Sequence, residues 1–268
     1  MPRDTSKPHP RARHSHALVV FAHPEPQSFN GTLKDTAVTT LKEQGYAVEV
    51  SDLYGEGFDP AERPAHYPER TDRQVFEPLA EQRRAYEQES LPPEVQREID
   101  RLERANLVVF QFPLWWHAQP AILKGWMDRV FVNGGLYTSS MRYNRGYFRG
   151  RRSLVSVTTG GPAETFAHNG RGGDIELLLW PLHYSLHYMG FTVLPAFRAH
   201  GIHGNGYAYQ DAAGFRAHLE DTRQAWAARL RRLETAQPLR FADWDDWDES
   251  GRLKPGIKGY DYFIRAQP

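Results

Sequence analysis

Apolar and polar positions alternate along this chain in two rhythms. Short apolar runs, rich in branched residues and bounded by turn formers, occur at His16 to Ala22 (HALVVFA), Leu107 to Phe110 (LVVF) and Arg152 to Val157 (RSLVSV). They have the length and composition of strands buried on both faces. Tyr46 to Val50 and Phe191 to Leu194 complete a set of five. Between them the period lengthens to that of a helix. Leu33, Ala37 and Leu41 share a face behind Ser28, which can cap a helix, and ahead of Gly45, which can end one. A second helix spans Glu94 to Arg104. In a third, Ile122, Leu123, Trp126, Met127 and Val130 follow Pro120 and stop at Gly134-Gly135. A fourth runs from Asp174 to about Met189. The last runs from Asp211 to about Leu233, with Phe215, Leu219, Trp226, Leu230 and Leu233 on one face. This alternation predicts an α/β protein: one open, doubly wound, five-stranded parallel sheet with helices on both faces and right-handed crossovers.

Three segments stand outside that rhythm. Residues 1–15 are basic, contain proline and lack an apolar stretch, so they read as a flexible tail rather than a secretory signal. Residues 54–93 form a polar, proline-bearing insertion too long for an ordinary connection. They suit either a functional excursion or a bare surface loop. Residues 236–268 form an acidic, aromatic tail with neither period, which leaves 16–235 as the catalytic domain.

Composition narrows the classes. Apolar residues make up 40% of the 268, enough for a sizeable core. Thirty-three basic and 33 acidic residues cancel, which removes any general electrostatic drive toward nucleic acid or a membrane surface. Cysteine is absent, so disulfides and thiolate metal sites are excluded, and a cytoplasmic location is expected. No apolar run approaches the ~20 residues of a membrane span.

The candidate chemistry lies in loops that follow strands. The loop His23 to Asn30 opens a helix, where backbone amides with His23, Ser28 and Asn30 can hold a phosphate. The loop Pro113 to His117 carries adjacent tryptophans, Trp115 and Trp116, which are either core or a wall for a flat heterocycle. The loop Thr158-Thr159-Gly160-Gly161 offers backbone N–H groups that no side chain obstructs. None of these is a GxGxxG or a Walker A loop. A phosphate site, an aromatic wall and an amide-lined edge at one end of a sheet suit a flavin. His183 and His187 are four apart on a helix, but no HExxH motif or acidic ligand cluster accompanies them, so no metal site is assigned. Ser28, Ser153 and Ser156 lack a GxSxG setting, which argues against a hydrolase.

The segment LVVFQFPLWWHAQPAILKGWMDRVF, with HPEPQSFN before it and SVTTGGPAETF after it, closely resembles the NAD(P)H:quinone oxidoreductases of the DT-diaphorase type. The likeness runs from about His16 to Phe241 and takes in AYEQESLPPE and Leu179-Trp180-Pro181-Leu182. It implies a flavodoxin-like fold, a homodimer with the flavin at its interface, and ping-pong transfer of hydride from NAD(P)H to a quinone or related aromatic. An electron carrier and an ancillary reductase subunit of a potassium-efflux system are the alternative readings. By resemblance, His23, Phe29 and Asn30 fall at the pyrophosphate site, and Leu114, Trp115, Trp116 and His117 lie along the isoalloxazine. Thr158, Thr159, Gly160 and Gly161 line the pyrimidine edge, and Tyr137 covers the substrate from the partner subunit. Ser139 stands where the mammalian enzymes have a second tyrosine. The insertion implies FAD, with FMN as the alternative, although Glu77 replaces a glutamine that contacts FAD. A tyrosine and a histidine that steady charge on the reduced flavin are replaced by Phe166 and Gly172. His168 and Arg171 are the nearby candidates to take over that task, and His168 reads equally as an exposed loop residue.

Overall fold

All five expected strands form, and all pair in parallel. The computed structural model describes residues 15–203 and 211–259. Strand β1 (His16–Phe21) lies between β2 (Ala47–Asp52) and β3 (Leu107–Pro113), and β4 (Arg152–Thr158) and β5 (Thr192–Ala199) follow. The order is β2-β1-β3-β4-β5. From β1 the chain winds first one way, to β2, and then the other, to β3. Where winding reverses, the loops at the strand C-termini diverge and open a crevice between β1 and β3.

The helices are α1 (Phe29–Glu43), α2 (Pro78–Glu87), α3 (Pro93–Arg104), α4 (Ala121–Val130), α5 (Ile175–Tyr188) and α6 (Ala212–Arg231). Alternate residues of each strand feed separate cores, as the two-residue repeat of a strand requires. Val19, Val109, Leu154 and Leu194 pack with Leu33 and Leu41 of α1 and Trp226 and Leu230 of α6. Val20, Phe110, Val155 and Val193 pack with Ile99 of α3, Trp126 of α4 and Leu182 of α5. The sheet is thus sandwiched, with α1 and α6 on one face and α3, α4 and α5 on the other. The tail expected at residues 1–15 lies outside the described residues except for Ser15.

Two elements are longer or more ordered than the residue pattern suggests. β5 continues beyond Leu194 to Ala199, through Pro195. A proline is tolerated there because β5 is an edge strand, and the register slips by a residue opposite Leu154 and Ser156. The insertion contains a helix, α2, whose buried face carries Glu81, Gln82 and Ala85 rather than an apolar stripe. Gln82 Nε2 holds it to α4 through the Asp128 carbonyl (3.0 Å) and to the preceding loop through Glu62 (2.9 Å). Arg129, 1% exposed, reaches out of α4 to the Asp59 carbonyl and to Glu94, each at 2.7 Å.

The segment after α6 returns across the sheet edge. The Leu239 amide donates to the Val193 carbonyl of β5 at 2.9 Å. The Phe241 ring stacks on His187 of α5 with centroids 4.4 Å apart, and His187 Nε2 lies 3.0 Å from the Ala242 carbonyl. Among the described residues no helix is long and apolar enough to cross a membrane.

Candidate functional site

Three loops converge on the crevice between β1 and β3, and hydrogen bonds tie them to one another. Asn30, 1% exposed in the first turn of α1, donates from Nδ2 to Thr158 Oγ1 at 2.9 Å. It accepts from Gln111 Nε2 at 2.9 Å. The Leu114 amide donates to the Thr158 carbonyl at 2.8 Å. Gln111 is the one polar residue in β3, fully buried, and its Oε1 has no hydrogen-bond partner among the described residues. The Gln111–Asn30–Thr158 chain fixes the first and third loops in register before any ligand arrives.

The first loop ends at Ser28, whose hydroxyl accepts the Gly31 amide at 3.2 Å and caps α1. A Cβ at Gly31 would fall 1.9 Å from the Pro26 carbonyl oxygen, so only glycine lets the loop fold this tightly onto the helix. Phe29 packs its ring against the core shared with α6. The Phe29 and Asn30 N–H groups make no hydrogen bond among the described residues, and the first turn contains no acidic residue. An anion is therefore favoured at this helix start. His23 is held through Nδ1 by the Glu25 amide at 3.0 Å, and its ring lies 5.9 Å from that of Trp115.

The second loop is a tight turn. Trp115 and Ala118 exchange two backbone hydrogen bonds, 3.0 and 3.1 Å long. Between them Trp116 (φ +50°) and His117 (φ +62°) both adopt the left-handed region. Neither is glycine, so each stores conformational strain of about 1 kcal/mol or more. The result is a Trp116 side chain that is 96% exposed, while Trp115 is 40% exposed and Leu114 packs on the core. The reading of these tryptophans as core is excluded for Trp116.

The third loop lies beside the end of β5. The Thr159 amide donates to the Ala199 carbonyl at 2.9 Å, and Gly201 returns a bond to the Gly161 carbonyl at 2.8 Å. The Gly160 and Gly161 N–H groups have no hydrogen-bond acceptor among the described residues. Thr159 Oγ1 donates to the Gly161 carbonyl at 3.0 Å and lies 2.8 Å from His200 Nδ1. Phe166 stacks on His200 with ring centroids 6.0 Å apart. Burial, with Arg198 adding to it, holds the His200 pKa below the ordinary histidine value.

Gly172 packs so closely that a Cβ there would meet Phe166 and Thr165 at 2.9 Å, and no larger residue fits beside Phe166. His168 is 77% exposed on its side chain and turns to Asp174, 3.5 Å away, the residue that caps α5. Arg171 is exposed. Tyr137 is not brought to this crevice. Its ring packs 5.8 Å from Tyr188, the last residue of α5. Because α5 runs antiparallel to the strands, that is the opposite edge of the sheet. Gln111 and His200 are the site residues that motif reading passes over. A lone polar residue in the apolar run LVVFQFP marks the first, whereas His200 lies past Leu194, where the residue pattern ends the strand before Pro195.

The residues present fit a flavin. Four unspent backbone N–H groups and an unpartnered indole on a strained turn lie in the three loops at this end of the sheet, and the orphaned Gln111 oxygen is buried beneath them. Comparison with known proteins points the same way. The model of a family described as having the flavodoxin-like fold matches residues 15–225. A mouse protein named ribosyldihydronicotinamide dehydrogenase [quinone] is 40% identical over 228 residues, covering 83% of this chain and 93% of its own. A guinea-pig (Cavia porcellus) protein named NAD(P)H dehydrogenase [quinone] 1 is 37% identical, covering 84% of this chain and 80% of its own. The crystal structure of a putative quinone reductase from Klebsiella pneumoniae superposes with a TM-score of 0.82 at 32% identity, covering 94% of this chain and all of the other. The chain belongs to the flavodoxin-like fold family and, within it, to the NAD(P)H and ribosyldihydronicotinamide quinone dehydrogenases.

Proposed function

We propose that the protein is an NAD(P)H-dependent flavoenzyme that reduces quinones by two electrons, alternating between the two substrates at one site. The observation that carries this reading is the Trp115–Ala118 turn, which spends backbone strain to hold Trp116 out of the core beside unspent amides. A protein gains nothing in stability from an exposed indole on a strained turn, whereas a flat heterocycle gains a stacking surface. The names of the relatives support the substrate class.

In this reading the Phe29 and Asn30 amides, with Ser28 and His23, bind the pyrophosphate of FAD. Leu114, Trp115, Trp116 and His117 orient the ring, and Thr158 to Gly161 with Phe166 bound its pyrimidine edge. The flavin, when bound, accepts hydride from the nicotinamide and returns it to the quinone. The chain's task is to hold the ring edge-on to the Gly160 and Gly161 donors and to exclude water around it. Tyr137, at the far sheet edge, serves the site of a second subunit, which makes the enzyme a homodimer, working in the cytoplasm. The insertion, by its resemblance to that of the FAD-using members of the family, favours FAD over FMN.

Anaerobic titration tests the proposal. Purified protein should show a flavin absorption band that NADPH, NADH or ribosyldihydronicotinamide bleaches, and a quinone should restore it. Chromatography of the released flavin should identify FAD. Absence of the band sinks the reading. Bleaching that no quinone reverses sinks the substrate class, and FMN in the extract corrects the cofactor.

A further inference from the structure

His200 is placed where the third loop needs a responsive charge. It follows β5 directly, and the Thr159–Ala199 backbone bond sets it beside Thr159. The Thr159 hydroxyl has one hydrogen, which it donates to the Gly161 carbonyl at 3.0 Å. The 2.8 Å contact with His200 therefore uses a hydrogen on Nδ1, and Thr159 Oγ1 is the acceptor. Nε2 makes no hydrogen bond among the described residues and is the nitrogen that can take a second proton. Protonation then needs no rearrangement of Thr159, Gly161 or the loop. Phe166 lies nearly parallel to the imidazole, 20° off, and fixes its plane.

The charges around the ring leave it poised. Arg198, on β5, opposes a positive charge, but it is itself paired with Glu176 of α5. Glu164, in the short turn before Phe166, favours one. From α6, His218 Nε2 lies 2.8 Å from the His200 carbonyl. His203 lies beside Gly160, 3.3 Å from where its Cβ would be. Burial outweighs Glu164, so the imidazole is held toward its neutral form while the neighbouring edge is uncharged. A negative charge arriving at the Gly160–Gly161 donors reverses that balance. His168, the other histidine of the loop, is turned to Asp174.

We propose that His200, acting through Thr159, is the positioning residue that takes up one proton when the bound flavin is reduced and releases it when the hydride leaves. This rests on the flavoenzyme reading above. The balance is simple. The hydride carries two electrons and one proton from the nicotinamide to the ring and leaves one negative charge there. His200 draws one proton from solvent. When the hydride passes to the quinone, the charge leaves with it, the quinone oxygen takes a proton from solvent, and His200 returns its own.

The test is the pH dependence of the bound flavin's midpoint potential, measured by spectroelectrochemical titration around neutral pH. Uptake by His200 adds a second proton per two electrons, so the wild-type slope should be twice that of His200→Phe. His200→Gln keeps a donor toward Thr159 but cannot titrate. It should keep the flavin and show the same halved slope. A wild-type slope in variants that retain flavin overturns the assignment. So does loss of flavin from both variants, because His200 would then only build the loop. A wild-type protein without flavin overturns the flavoenzyme reading itself, and this inference with it.

Discussion

His183 of α5 is buried to 1% exposure, and neither ring nitrogen has a hydrogen-bond partner among the described residues. Burial first, and Arg198 second, push its pKa down from 6.5 to about 4. The folded protein thus resists a proton that the unfolded chain accepts. Above the unfolded value the residue carries no linkage cost. As pH falls from 6.5 toward 4 the cost grows, and below that it stays constant. Replacement His183→Leu removes it, so the variant should gain stability relative to wild type as pH falls, by about 2 kcal/mol near pH 5. Urea unfolding at a series of pH values reads this directly, and a pH-independent difference refutes it. The residue scale is also where the sequence was least legible. Nothing in the dipeptide Trp116-His117 announces a turn with two left-handed residues, because such turns ordinarily use Asn-Gly or Asp-Gly. The tight 115–118 hydrogen bonds impose the conformation on side chains that would not choose it. The TTGG loop was legible because glycine's lack of a Cβ is itself the signal, whereas Gly31 was passed over.

At the scale of elements, periodicity found what packs by apolar contact and missed what packs by polar contact. β1, β3, β4, α1 and α6 were visible from their apolar residues because those residues form the two cores. The helix α2 was not, since its inner face carries Glu81 and Gln82 and its attachment to α4 is made by a hydrogen bond from Gln82. Arg129 ties α4 to α3 and to the loop before α2, with Glu94 at 2.7 Å, Glu62 at 3.6 Å and the Phe58 ring at 5.4 Å. Replacement Arg129→Met keeps the volume but leaves Glu94 without its partner, while Glu62 keeps Gln82. It should cost about 2 kcal/mol in urea unfolding, less than for a fully buried pair because the Glu94 side chain is 30% exposed. A loss below about 1 kcal/mol would mean that the insertion is attached by other contacts.

For the whole molecule, the separation of Tyr137 from the crevice has a definite consequence. One chain presents a floor and two walls at the C-terminal edge of its sheet and a tyrosine at the other edge, so no single chain can close the pocket as proposed. The protein should sediment as two chains of 30.8 kDa each. Tyr137→Ala should raise the quinone KM while leaving flavin content unchanged. A monomer with full turnover would refute the shared site. The same view of the molecule gives the segment after α6 a purpose. An open sheet ends in two rows of backbone groups onto which a strand from another chain can zip, the first step toward insoluble aggregates. Here the β5 row is broken by Pro195 and its bulge, and Leu239 occupies the Val193 carbonyl. The β2 row carries Glu49, clasped by both Nε and Nη2 of Arg104. The chain's last described stretch therefore works as a selvedge, finishing the margin of the sheet so that it does not fray into its neighbours.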